Sequence, residues 1–267
     1  MRKVIAYLVA AVCLCTLAAA AEDFWVKKKY TQWSEKECTK MLTDSPWARE
    51  WSENFVNMAG TGEGGMDSTA TATERQTNTQ VGYRFRLRSA LPIRQALVRR
   101  GQLAQGYAKM TEEQRQTFDE QAKQFLEATF ADKVVVDVEY FSNVRGFLPD
   151  LANYWRSQNT ERLRDKVYLL GANGRQASLA QYNPPRGDSQ AFQFVFPRAV
   201  DGKPLVGPED NSLRVQIQQP ELSIRFLEVM RAGELGNVQT ATTATTLAQV
   251  LVEFKVKKMI LDGQLLF

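Results

Sequence analysis

Around Tyr83 the chain alternates without a break, with Tyr83, Phe85 and Leu87 on one side and Arg84, Arg86 and Arg88 on the other. A period of two predicts a half-buried strand over residues 81–89. Residues 134–141 form a second strand, whose polar positions are Asp137 and Glu139. Between the two, residues 92–109 read as a helix. Another runs from Thr111 to about Phe130, with Thr111 and Gln114 as its capping box. A short helix is expected over 147–156. From Lys166 onward the pattern is strand and turn: 167–170, the turn Gly171-Ala172-Asn173-Gly174, then 176–182, 192–196, 213–217, 222–226, 249–257 and 264–267. Short, regularly spaced strands separated by Pro and Gly predict an immunoglobulin-like β-sandwich.

Upstream, Ser34 and Glu37 make a capping box, and Cys38, Met41 and Leu42 recur at i, i+3 and i+4. They predict a helix ending near Leu42 with these three buried. Ser45 as N-cap and Pro46 at the first helical position predict a second helix. On it Trp47, Trp51 and Phe55 would share a face at i, i+4 and i+8. Residues 59–80 and 232–246 are rich in Gly, Thr, Ala and Ser, which predicts a linker and a long loop. The expected fold class is α+β. An N-terminal helical hairpin (residues 22–58) leads through a flexible linker (59–80) to a β-rich body (81–267) with helices inserted at about 92–130.

Composition adds an address. Arg2 and Lys3 precede an apolar stretch over residues 4–17, and Ala18 to Ala21 offer the small side chains a signal peptidase requires. Residues 1–21 are therefore expected to be a cleaved signal peptide, sending the protein to the periplasm or outside the cell. Removing them lowers the net charge from +4 to +2 and takes away two of the three cysteines. A balance this small argues neither for nor against nucleic acid or membrane partners. The remaining Cys38 rules out an internal disulfide framework in the mature chain.

The 267 residues contain no histidine, which excludes Ser-His-Asp and Cys-His nucleophiles and HExxH zinc sites. Walker loop, GxSxG and EF-hand signatures are also missing. No cofactor, metal site or catalytic residue is expected, and catalysis is not the favoured reading.

What stands out is charge segregation. Residues 81–109 hold Arg84, Arg86, Arg88, Arg94, Arg99, Arg100 and Lys109 and no acidic residue. Three arginines on one strand face can grip an anionic polymer through bidentate contacts. The competing and favoured reading is a cross-strand ladder, with Asp137 and Glu139 opposite them at matching spacing. Trp47 and Trp51 belong to an aromatic concentration that can stack on sugars, against a favoured reading as packing. The candidate binding residues are Arg84, Arg86, Arg88, Trp47 and Trp51.

The segment Trp33-Ser34-x-x-Glu37-Cys38-x-x-Met41-Leu42-x-Asp44-Ser45-Pro46-Trp47-Ala48 resembles exported bacterial proteins of the Acidobacteria type, related to the GWxTD-type domain proteins. Residues 87–96 resemble a second segment of those sequences, and together the two cover about 35 residues. The Gly-Trp-x-Thr-Asp signature itself does not occur in this chain. The resemblance implies bacterial export and brings no catalytic residue. The sequence thus reads as an exported, non-catalytic interaction or envelope-associated protein. Its expected partner is an envelope protein or an anionic envelope polymer, with no nucleic acid and no membrane span after signal cleavage. The alternative is a protein that binds or cleaves cell-wall carbohydrate.

Overall fold

The computed structural model describes residues 23–56, 78–143, 147–218, 249–261 and 263–267. The fold is α+β. The first elements are α1 (Phe24–Lys27), α2 (Glu35–Thr43), β1 (Ala48–Val56), β2 (Asn78–Leu87), α3 (Leu91–Ala104), α4 (Glu112–Glu127), β3 (Lys133–Ser142), α5 (Phe147–Ser157) and α6 (Thr160–Leu163). After them come β4 (Val167–Gly171), β5 (Gln176–Ser178), β6 (Gln181–Asn183), β7 (Ala191–Pro197), β8 (Ala199–Val200) and β9 (Lys203–Pro204). The last strands are β10 (Ser212–Ile217), β11 (Val250–Lys255), β12 (Ile260–Leu261) and β13 (Gln264–Leu265).

Every strand pair is antiparallel. A five-stranded sheet has the order β1-β2-β3-β7-β6, a four-stranded sheet the order β11-β10-β4-β5, and β8-β9 and β12-β13 are small ribbons. The two large sheets meet at both margins. Strand β1 lies against β11, and β5 runs through Leu179 and Ala180 into β6.

Period-two patterning sends Tyr83, Phe85, Leu87, Val136, Val138, Phe192, Phe194 and Phe196 inward from the first sheet, and Leu169, Val215, Ile217, Val252 and Phe254 from the second. All belong to one buried cluster. From α5, Trp155 enters it and stacks on Phe192 with ring centroids 4.1 Å apart.

The helical hairpin is corrected by the structure. Its first helix is present: Ser34 and Glu37 form the capping box of α2, and Cys38, Met41 and Leu42 are buried. Its second helix is absent, because residues 48–56 form β1 and pair with β2 from Ala48↔Arg86 to Val56↔Asn78. A spacing of four is an even number, so Trp47, Trp51 and Phe55 fit a strand period as well as a helical one. Ser45 and Pro46 make a tight turn instead of a helix start. Ser45 and Ala48 exchange backbone hydrogen bonds of 3.3 and 3.2 Å, and Ser followed by Pro suits the first two positions of such a turn.

The boundaries change with it. Trp33, Cys38, Met41, Leu42 and Trp47 share the core cluster with the strands, so this N-terminal segment packs into the core of the β-rich body. Of the expected linker 59–80, residues 78–80 open β2. The remainder lies outside the described residues, as do the expected signal segment 1–21, the expected strand 222–226 and the expected loop 232–246. The expected strand 176–182 is two strands, β5 and β6, and residues 256–259 form a 3-10 turn.

Candidate functional site

The outer face of the five-stranded sheet is polar. Opposite Arg84 stand Glu50 on β1 and Glu139 on β3, and opposite Arg86 stands Asp137. Arg84 Nε donates to Glu50 at 2.9 Å and its Nη1 lies 3.6 Å from Glu139. Arg86 Nη2 donates to Glu139 at 2.5 Å, and Arg88 Nη1 to Asp137 at 2.8 Å. Three cations meet three carboxylates, so the row is neutral. Arg86 is also buried, and its Nε donates to the Leu42 carbonyl at 2.8 Å, tying the C-terminal end of α2 to the sheet. Aromatic rings cover the ends of the row, Phe141 over Arg84 at 4.4 Å and Phe125 over Arg88 at 4.8 Å.

The ladder does not stop at β3. Asp137 receives Arg88 on Oδ2 and Gln193 Nε2 on Oδ1, the latter at 2.8 Å. Gln193 Oε1 accepts from Asn183 Nδ2 at 3.1 Å, and Asn183 Oδ1 accepts from Gln181 Nε2 at 2.7 Å. Each donor therefore points toward Asp137, which orders the three amides in one sense.

Here the row opens into a cleft of about 590 Å³, lined by Arg88, Asp137, Gln181, Asn183, Arg186 and Gln193 among others. Its floor is the β3–β7–β6 side of the sheet, and its rim is the turn that carries Arg186. Arg156 Nη2 holds that turn by donating to the Gly187 carbonyl at 2.6 Å. The outward N–H of Tyr182 on the edge strand β6 is taken by the Thr160 hydroxyl at 3.0 Å. That leaves the margin poorly suited to pairing with another strand. Arg186 is exposed, and among the described residues its guanidinium has no partner.

Two other basic residues from the same stretch, Arg94 and Arg99, act inside the fold, whereas Arg100 and Lys109 are exposed. Arg94 Nη1 donates to the carbonyls of Phe125, Leu126 and Ala128 at 3.1, 2.6 and 2.9 Å, capping the C-terminal end of α4. Burial lowers its pKa. Arg99 Nε donates to the Trp33 carbonyl at 2.9 Å.

The candidate tryptophans lie away from this face. Trp47 is fully buried, and its Nε1 donates to the Leu266 carbonyl at 2.5 Å. It has no ring face for a sugar, so its candidate stacking role gives way to the favoured one of packing. Trp51 is half-buried beside Tyr83, 6.1 Å between centroids, on the opposite face of the sheet from the arginines. Cys38 is buried, and burial raises its thiol pKa, which keeps it a neutral, unreactive group.

Among the sequence candidates the structure gathers Arg84, Arg86 and Arg88 into one row, and only Arg88 reaches the cleft. Sequence reasoning missed Gln181, Asn183, Arg186 and Gln193. The alternation in Phe192-Gln193-Phe194 put Gln193 outside, and Pro184-Pro185-Arg186-Gly187 marked a turn. Their convergence depends on the pairing of β6 with β7 and of β7 with β3.

The chain matches no protein-family model, no curated protein and no solved structure. Among the described residues, no helix is long and apolar enough to cross a membrane.

Proposed function

We propose that this is an exported, non-catalytic binding module that contacts a component of the cell envelope through the cleft at the end of the arginine ladder. One observation carries the reading. Arg84 and Arg86 are neutralised within the sheet, whereas the cleft pairs the exposed, unpartnered Arg186 with a row of oriented amides. Side chains at a fold's surface usually find partners or water without ordering one another. A row of amides locked in one orientation beside a free cation is a preorganised surface.

Export rests on the N-terminal pattern of residues 1–21 and on the resemblance of residues 33–48 to exported GWxTD-related proteins. An immunoglobulin-like sandwich belongs to the same proposal, supported by two antiparallel sheets around one apolar core. Such scaffolds present binding surfaces on sheet faces and loops.

The test is co-sedimentation of the full chain with purified, insoluble envelope polymer, wild type beside Arg186→Glu. Because Arg186 holds no other group, the variant is expected to fold normally. Sedimentation of the wild type and its loss in the variant supports the reading. Equal sedimentation of both, or none of either, overturns it.

A further inference from the structure

Resting on the reading of the cleft as a binding surface, we infer that its ligand is a saccharide bearing an oxyanion, a carboxylate or a phosphate. The argument is a balance of donors and acceptors. In the polar row, the acceptor oxygens of Asp137, Gln193 and Asn183 each already receive a hydrogen bond: Asp137 from Arg88 and Gln193, Gln193 from Asn183, Asn183 from Gln181. Acceptor capacity remains as well, since among the described residues the Gln181 oxygen receives no hydrogen bond and the others keep lone pairs, but the charged groups left open are donors. Each of the three amides keeps a second N–H. Arg88 uses one terminal nitrogen on Asp137, and Arg186 keeps its whole guanidinium.

Open guanidinium groups beside amides that can both donate and accept suit a ligand that carries hydroxyls and an oxyanion. The two arginines supply bidentate partners for an oxyanion, which neutral amides alone would not select. The amides beside them match the oxygens of a hydroxylated ring. A sugar hydroxyl accepts from an amide N–H and turns its own proton to water.

An acidic peptide fits less well. As an extended strand it could not add to the sheet at β6, where the outward N–H of Tyr182 is already taken by the Thr160 hydroxyl. The open shape of the cleft, on a sheet face and bounded by one turn, suits a unit within a chain as well as a free sugar. Charge balance agrees, because Asp137 is cancelled by Arg88 and the rim turn sets Arg186 and the Arg156 bonded to it against Asp188.

The experiment is calorimetric titration of the full chain with four probes: an oligogalacturonate, its methyl ester, a phosphorylated oligomannoside and polyglutamate. Wild type is compared with Arg186→Glu and with Asn183→Ala, whose folding is checked by circular dichroism and thermal melting. The expected result is binding of the oligogalacturonate or the phosphorylated sugar, the tighter one identifying the anion. The methyl ester is expected to bind about tenfold or more weakly, the cost of losing a charge-assisted contact. Arg186→Glu is expected to abolish binding, and Asn183→Ala to weaken it.

Equal affinity for acid and ester overturns the inference, as does no binding by either acidic sugar. Tighter binding of polyglutamate that is lost in Arg186→Glu overturns the saccharide class while leaving the cleft as a binding surface. Binding of any probe that is indifferent to Arg186→Glu removes the cleft itself, and with it the function proposed above.

Discussion

Arg86 bonds to Glu139 although Asp137 is the residue standing opposite it across the β2–β3 pair. Arg88 leans the same way, reaching Asp137 from two residues further along. Diagonal neighbours lie about 7–8 Å apart on a sheet, within reach of a guanidinium. The common lean leaves the second oxygen of Asp137 to Gln193, and through it sets the orientation of the amides in the cleft. The ladder and the cleft are thus one hydrogen-bonded system, divided between a neutral half and a half with an open cation.

The two central arginines differ in what they contribute. Replacing the buried Arg86 by Ala strands the Leu42 carbonyl and leaves Glu139 only its longer contact with Arg84, and is expected to cost about 3 kcal/mol. Replacing the more exposed Arg84 by Ala is expected to cost about 1 kcal/mol or less. Urea unfolding of the two variants tests the ordering, and equal losses would contradict the ladder as described.

At the start of α2, Lys28 donates to Glu37 at 2.6 Å, and Ser34 bonds the same carboxylate. These bonds, Lys28 first, lower its pKa from 4.5 to about 2. A lowered folded-state value adds stability that is complete above pH 4.5 and is lost as pH falls toward 2. Melting temperature measured from pH 6 to about 2 is expected to fall less steeply in Glu37→Gln than in wild type. High salt is expected to narrow the difference by screening the Lys28 pair.

Helix α4 has no buried residue, and its C-terminal end is held by Arg94. Arg94→Ala is expected to raise amide hydrogen exchange across residues 112–127 before β2 and β3 respond. Exchange that rises equally in the strands would mean that Arg94 holds the whole core.

Close backbone approach makes Gly171 a stringent position. A Cβ there would lie 2.2 Å from the Leu205 carbonyl oxygen, a main-chain atom that cannot swing away. Gly171→Ala is expected to destabilise by about 1–3 kcal/mol or more. At Gly174 space is open but φ is +80°, so Ala is expected to cost about 1 kcal/mol. A melting comparison distinguishes steric conflict from backbone strain.

Local rules made much of this fold legible in the sequence alone. Strict alternation marked β2 and sorted its faces, the spacing of Asp137 and Glu139 marked the polar side of β3, and the Ser34/Glu37 and Thr111/Gln114 capping boxes placed the starts of α2 and α4. Those signals depend on neighbours within a few residues, so no tertiary information is needed to read them. Matching charge spacing made the ladder legible too, because two antiparallel strands with the same period bring such positions together.

Tertiary structure decided the rest. Trp47, Trp51 and Phe55 satisfy helix and strand periods equally, and the pairing of β1 with β2 chose between them. Arg84, Arg86 and Arg88 are indistinguishable as letters, yet α2 buries Arg86 while Arg88 lies at the mouth of the cleft. The cleft itself joins residues of β3 to residues about 50 positions later. Such contacts follow from the order of strands in the sheet, a long-range property that no local pattern encodes.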